Sequence, residues 1–114
     1  MMTIKEMYQE IGSDYEKLTA RLPEKLLPRL VKKYADDKDF DLLTESVEKE
    51  DYEQAFTAAH TLKGMAMNLG FDRLADASSA MTEELRANSY GKIKELYLSV
   101  KEAHEQVIEG IKKL

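Results

Sequence analysis

The 114-residue chain contains no cysteine. That excludes disulfides, thiolate catalysis and cysteine-ligated zinc or iron–sulfur centres, and it suits a reducing compartment. There are 2 prolines and 5 glycines, few enough to leave long helices uninterrupted. Positive charge is in deficit: 17 Lys and Arg stand against 22 Asp and Glu, a formal net charge of -5. A phosphate backbone demands clustered cations, so nucleic acid is not an expected partner. No apolar run approaches the roughly 20 residues that span a bilayer. The amino end, MMTIKEMYQEIG, lacks the apolar stretch of a secretion signal. No membrane association is expected, and the chain reads as cytoplasmic. Strict apolar–polar alternation is also missing, so no strands are expected. No Gly-rich loop follows a strand, and therefore no nucleotide site is visible.

What is present is helical periodicity. Ile4, Met7, Tyr8 and Ile11 share one face of a short helix over residues 3 to 11, which Gly12 stops. Ser13 or Asp14 can cap a second short helix through Leu18 and Leu22. Leu26, Leu27, Leu30, Val31 and Tyr34 form the next stripe, with Pro23 and Pro28 near its first turn. The run DDKD at 36–39 reads as a break, or as a polar turn of a continuing helix, before Phe40, Leu43 and Val47. Asp51 is a natural cap for a helix from about 52 to 69, ended by Asn68 and Gly70. Its stripe is Tyr52, Ala55, Phe56, Ala59, Leu62, Ala66 and Leu69. Leu74, Ala75, Ser78, Met81 and Leu85 mark another helix, RANSYG a turn, and Ile93 to Leu114 a last long helix. The pattern predicts one all-α domain over 1–114: an antiparallel four-helix bundle with short N-terminal helices capping one end. Single apolar stripes of this spacing suit a monomer that fills its own core.

One position departs from ordinary surface chemistry. Residues 59 to 71 read AHTLKGMAMNLGF. Ala59 lies on the buried stripe, so His60, about 100° further round, projects beside the core towards solvent. Glu53, Thr57, Lys63, Gly64 and Met67 share its face. Gly64, four residues on, costs the helix roughly 1 kcal/mol relative to alanine. A side chain there would cover the imidazole, so access to the ring is a reason for the glycine. Lys63, three residues on, can reach an anion held on the ring. An exposed imidazole, a bare neighbour and a cation make a site for a phosphoryl group on nitrogen, with His60 as nucleophile. Each part has an ordinary explanation as well: a surface histidine, a helix close-packing glycine, a solvated lysine. His104 has no basic or small neighbour of this kind and reads as structural. The two histidines show no metal-ligand spacing, so no metal site is expected. Acidic runs at 35–41 and 46–53 read as solvated turns and caps, and Ser78 and Ser79 as helix-packing residues.

The run His60-Thr61-Leu62-Lys63-Gly64, followed by Asn68-Leu69-Gly70, resembles the motif of histidine-containing phosphotransfer (HPt) domains. The resemblance extends over roughly residues 12 to 112, through Leu27 to Tyr34, Asp51-Tyr52-Glu53 and Gly70-Phe71 to Leu85. It implies a four-helix bundle with a phosphorylatable histidine on an exposed face. That histidine accepts a phosphoryl group from a receiver-domain aspartate and passes it to another receiver. By position the resemblance makes His60 the acceptor, Lys63 the phosphate-stabilising cation and Gly64 the clearance residue. Gly70 closes the motif. Thr57, Thr61, Met67 and Asn68 are the expected docking residues. The sequence departs from the family at Met65, where a small or hydroxylic residue is common; that departure bears on partner choice.

The reading is therefore a free-standing phosphocarrier in a His–Asp relay, not an enzyme with its own ATP site. Its partners would be receiver domains of response regulators or a hybrid histidine kinase. It would need no cofactor of its own, because the receiver brings Mg²⁺. Two other readings stay open: a bundle that binds receivers or kinases without carrying phosphate, and a piece of a larger histidine kinase.

Overall fold

A computed structural model describes residues 1–114. It is all helical: α1 (Ile4–Glu10), α2 (Tyr15–Thr19), a 3₁₀ turn (Glu24–Leu26), α3 (Leu27–Ala35), α4 (Asp39–Glu48), α5 (Tyr52–Leu69), α6 (Asp72–Arg86) and α7 (Ile93–Lys112). Helices α4 to α7 form the bundle, each packed on the next, and α7 returns against α4. Short turns make successive helices antiparallel. The pairing of α4 with α7 runs the same way, Phe40 stacking on His104 and the Thr44 hydroxyl meeting the Tyr97 hydroxyl at 2.7 Å.

The helix ends follow local chemistry. Thr3 and Glu6 make a capping box at α1. Asp14 caps α2 through the Lys17 N–H. Ser13, the other candidate cap, instead accepts the Asp72 N–H at 3.2 Å and ties α1–α2 to the start of α6. The DDKD stretch is a true break: α3 ends at Ala35, and the Asp37 carboxylate accepts the Asp39 N–H at 2.8 Å as α4 begins.

The core is continuous. Leu27, Leu43, Leu62, Leu74, Met81, Ile93 and Val100 are all buried within it. The α1–α3 region closes one end. Met7 sits against Gly110, where an added Cβ would lie 2.8 Å from the methionine Cγ. The buried Tyr8 hydroxyl donates to the Leu69 carbonyl at 2.6 Å and its ring stacks on Phe71. The short helices thus hold the ends of α5 and α7 and the beginning of α6. No helix is long and apolar enough to cross a membrane.

Candidate functional site

Helix α5 is pinned at both ends. Asp51 accepts the Gln54 N–H at 3.1 Å, and Gly70 terminates the helix at φ 70°, a left-handed conformation that glycine adopts without penalty. Its last carbonyls are met partly by the Gly70 and Phe71 N–H groups and partly by side-chain donors. Arg21 from the end of the N-terminal cap donates to the Met67 carbonyl at 2.7 Å and the Asn68 carbonyl at 3.0 Å. Met67 and Asn68 therefore sit on fixed backbone although their side chains are exposed.

The buried arc of α5 is wider than its sequence stripe. Ala58 is fully buried alongside Ala55, Ala59, Leu62 and Ala66. Helices α4 and α6 flank α5 on two sides, and the run of alanines lets both approach. Tyr52 and Phe56, expected on the core stripe, are only half-buried. They lie on the α6 flank, where the Arg86 guanidinium stands 5.1 Å from the Phe56 ring centroid and Tyr52 stacks on Tyr90 at 4.1 Å.

His60 is exposed in the middle of this helix. Its ring lies parallel to Phe56, with centroids 5.8 Å apart and planes 4° apart. No side-chain hydrogen bond or ion pair reaches it. Lys63 is half-buried on the same face and likewise has no ion-pair partner. Gly64 is exposed, and a Cβ built on it meets nothing within 4 Å. The helix-packing explanation for this glycine is thereby removed, since no neighbouring helix is near. A helical side chain leans towards the preceding turn, so a residue at 64 would lie over His60. The glycine leaves that side of the imidazole bare.

The four expected docking residues fall around this centre. Thr57, Thr61, Met67 and Asn68 are all exposed, Met67 with 55% of its surface free. Both threonine hydroxyls donate back to carbonyls one turn earlier, Glu53 at 3.3 Å and Thr57 at 2.9 Å. Beyond Asn68 lies a groove of about 410 Å³ between α3 and α5, lined by Leu22, Leu30, Tyr34, Met65 and Leu69 with Arg21 at its edge. Met65 is half-buried in that wall and packs on the core. Sequence reasoning missed Arg21, Phe56 and Arg86 as parts of this region. Periodicity carries no signal for the arginines, whose contacts come from other elements; Phe56 was visible, but as core.

The second histidine has a different environment. His104 is half-buried, stacked on Phe40 at 4.1 Å, with Nδ1 2.7 Å from the Tyr34 hydroxyl. Burial pushes its pKa down, against the pull of Asp41, Glu105 and Asp37. It is enclosed by aromatic rings and serves the packing of α3, α4 and α7. No group of three or more His, Asp or Glu side chains is arranged to hold a metal ion.

The chemical content of the site is an accessible imidazole on a rigid helix, one cation three residues away and a cleared approach. Neither the curated proteins nor the solved structures contain a match to the chain. The family model of the Hpt domain matches residues 5–110, nearly its whole length, and the chain belongs to that family, the histidine phosphotransfer modules of two-component phosphorelays.

Proposed function

We propose that His60 is the phosphoryl acceptor, taking the group from a receiver-domain aspartate and passing it to another receiver. The observation that carries this is the pairing of an exposed, unbonded imidazole with a bare Gly64 on the same face. In the forward step the lone pair of the unprotonated ring nitrogen attacks phosphorus. A P–N bond forms, the P–O bond of the acyl phosphate breaks, and the aspartate leaves as a carboxylate with the electron pair. The reverse sequence delivers the group to the second receiver. Lys63 neutralises part of the phosphoryl charge as it arrives, which is the electrostatic contribution a preplaced cation makes.

The receiver supplies the rest, including Mg²⁺ and its acidic pocket; the chain acts as a carrier and not as a kinase. Met67, Thr57, Thr61 and Asn68 form the surface on which the receiver seats. Methionine suits a face that must accept more than one partner.

The test is phosphoryl transfer from a phosphorylated receiver domain to the wild-type protein and to His60→Gln. Acid-labile, base-stable label on the wild type alone is the expected result. No label on either, with receivers that still bind, would replace this reading by a docking module without phosphate chemistry. Equal label on both would move the acceptor to another residue. Incorporation from ATP and Mg²⁺ without any other protein would overturn the carrier assignment.

A further inference from the structure

A histidine that must present one nitrogen to an incoming phosphorus needs its ring orientation held. The usual device is a hydrogen bond to the other ring nitrogen. His104 has such a bond, with Tyr34. His60 has none, yet its ring is not isolated. It runs parallel to Phe56, one helical turn earlier, as an offset pair with centroids 5.8 Å apart and 4° between the planes. The i−4 position is where the side chain of residue 60 leans, because helical side chains point towards the N-terminus.

Phe56 is in turn held. It packs against the core from its half-buried position. The Arg86 guanidinium lies 5.1 Å from its ring centroid, within the range of a cation–π contact. The Arg86 Nε is 3.4 Å from a Glu83 carboxylate oxygen, one turn back on α6. The ring against His60 is thus steadied by a neighbouring helix as well as by its own.

We infer that Phe56 is the positioning residue for His60, its ring fixing the plane of the imidazole before a receiver arrives. This rests on His60 being the acceptor. The geometry suits the task. Attack on phosphorus runs along the nitrogen lone pair, which lies in the ring plane. An offset parallel pair of this kind has its contact along one side of the ring and leaves the rest of the edge free. It restricts rotation without blocking the nucleophile, and Gly64 leaves the C-terminal side of the ring clear for the phosphoryl oxygens. Preorganisation of this kind acts on the rate of the bound complex more than on its formation.

The inference is tested with Phe56→Leu, which keeps apolar bulk but removes the aromatic face, and Phe56→Tyr, which restores it. In the unphosphorylated protein, the ring-proton NMR shifts of His60 carry the ring current of Phe56. They should move in Phe56→Leu and stay in Phe56→Tyr. In transfer from a phosphorylated receiver, Phe56→Leu should lower the rate at saturating receiver by about twofold to twelvefold, the range an aromatic pair's strength sets. The half-saturating receiver concentration should not change, and Phe56→Tyr should transfer at nearly the wild-type rate. Arg86→Gln, on an exposed surface, should shift both readouts the same way by a smaller factor; it carries the test should Phe56→Leu lose its helical fold. Equal rates in wild type and Phe56→Leu would overturn the inference, as would His60 shifts that do not move. A changed half-saturation at unchanged rate would make Phe56 a docking residue instead. A wild-type protein that takes no phosphate would sink the acceptor reading together with this one, whereas labelled wild type with an equally fast Phe56→Leu sinks this one alone.

Discussion

Gly64 stands one turn beyond His60 on the same face of α5, and the space its missing side chain would fill is empty. Stability and access therefore pull in opposite directions at this position. Gly64→Ala should raise helix stability by about 1 kcal/mol, because alanine has less backbone entropy to lose. The same change should slow phosphoryl transfer, and Gly64→Gln, whose longer side chain reaches back over the ring, should slow it further. Urea denaturation and receiver transfer measured on the same samples check this. A Gly64→Gln protein that transfers at the wild-type rate would show that the glycine has nothing to do with access.

Lys63 has no carboxylate partner, so removing its charge leaves nothing unpaired behind it. Lys63→Gln should unfold at the wild-type urea concentration to within about 0.5 kcal/mol, as surface substitutions do. Its transfer rate should drop by about tenfold or more, the loss expected when a preplaced cation is taken from a transition state. Lys63→Arg should recover part of it. An unchanged Lys63→Gln rate would assign the whole of the charge stabilisation to the receiver.

How much of this was legible beforehand depends on whether the cause was local. Helix α5 was readable to the residue because Asp51 and Gly70 are caps, and a cap is set by its own side chain and φ angle. The His60, Lys63 and Gly64 cluster was readable because three residues within about one turn of one helix need only 100° arithmetic. The break at 36–38 was readable only as an ambiguity. What settles it is tertiary: Tyr34 from α3 and Phe40 from α4 converge on His104 of α7. Phe56 was placed on the core stripe because an apolar residue at stripe spacing normally is core. Its half-exposed position depends on where α6 lies and on Arg86, neither of which periodicity reports. Arg21 was invisible for the same reason, being matched to carbonyls 46 and 47 residues away.

Ser78 is fully buried on α6, and its hydroxyl has no hydrogen-bond partner in the protein. Its neighbour one turn on, Thr82, is equally buried but donates to the Ser78 carbonyl at 2.7 Å. The two buried hydroxyls should respond differently to removal. Ser78→Ala deletes an unsatisfied group of nearly the same size and should stabilise the bundle by about 1 kcal/mol. Thr82→Ala removes a made hydrogen bond and a packed methyl group and should destabilise it by about 1–2 kcal/mol. Chemical denaturation of both variants is the measurement; a destabilised Ser78→Ala would mean that the hydroxyl is satisfied in solution.

His104 links three helices, and its protonation should weaken that link. The Tyr34 hydroxyl, its own pKa raised by burial, is hydrogen-bonded to Nδ1 at 2.7 Å, and a protonated ring brings a charge into this aromatic enclosure. Burial places the folded pKa of His104 below its ordinary 6.5. Between the folded and unfolded values the unfolded chain binds more protons, so this group's stability is full above 6.5 and is lost as the pH falls through the folded value. Asp39 acts with the opposite sign. Burial and the adjacent Asp37 push it from 3.8 to about 6, so it holds its proton longer in the fold and withdraws stability as the pH rises through that window. The raw pH profile mixes the two, and the informative quantity is the difference between wild type and His104→Phe. That difference should shift in favour of the variant between pH 7.5 and pH 5, as the wild type alone has a ring to protonate at position 104 and His60 is common to both. An NMR titration of the His104 ring protons fixes the cause. A midpoint at or above 6.5 in the native protein would contradict the role given to burial.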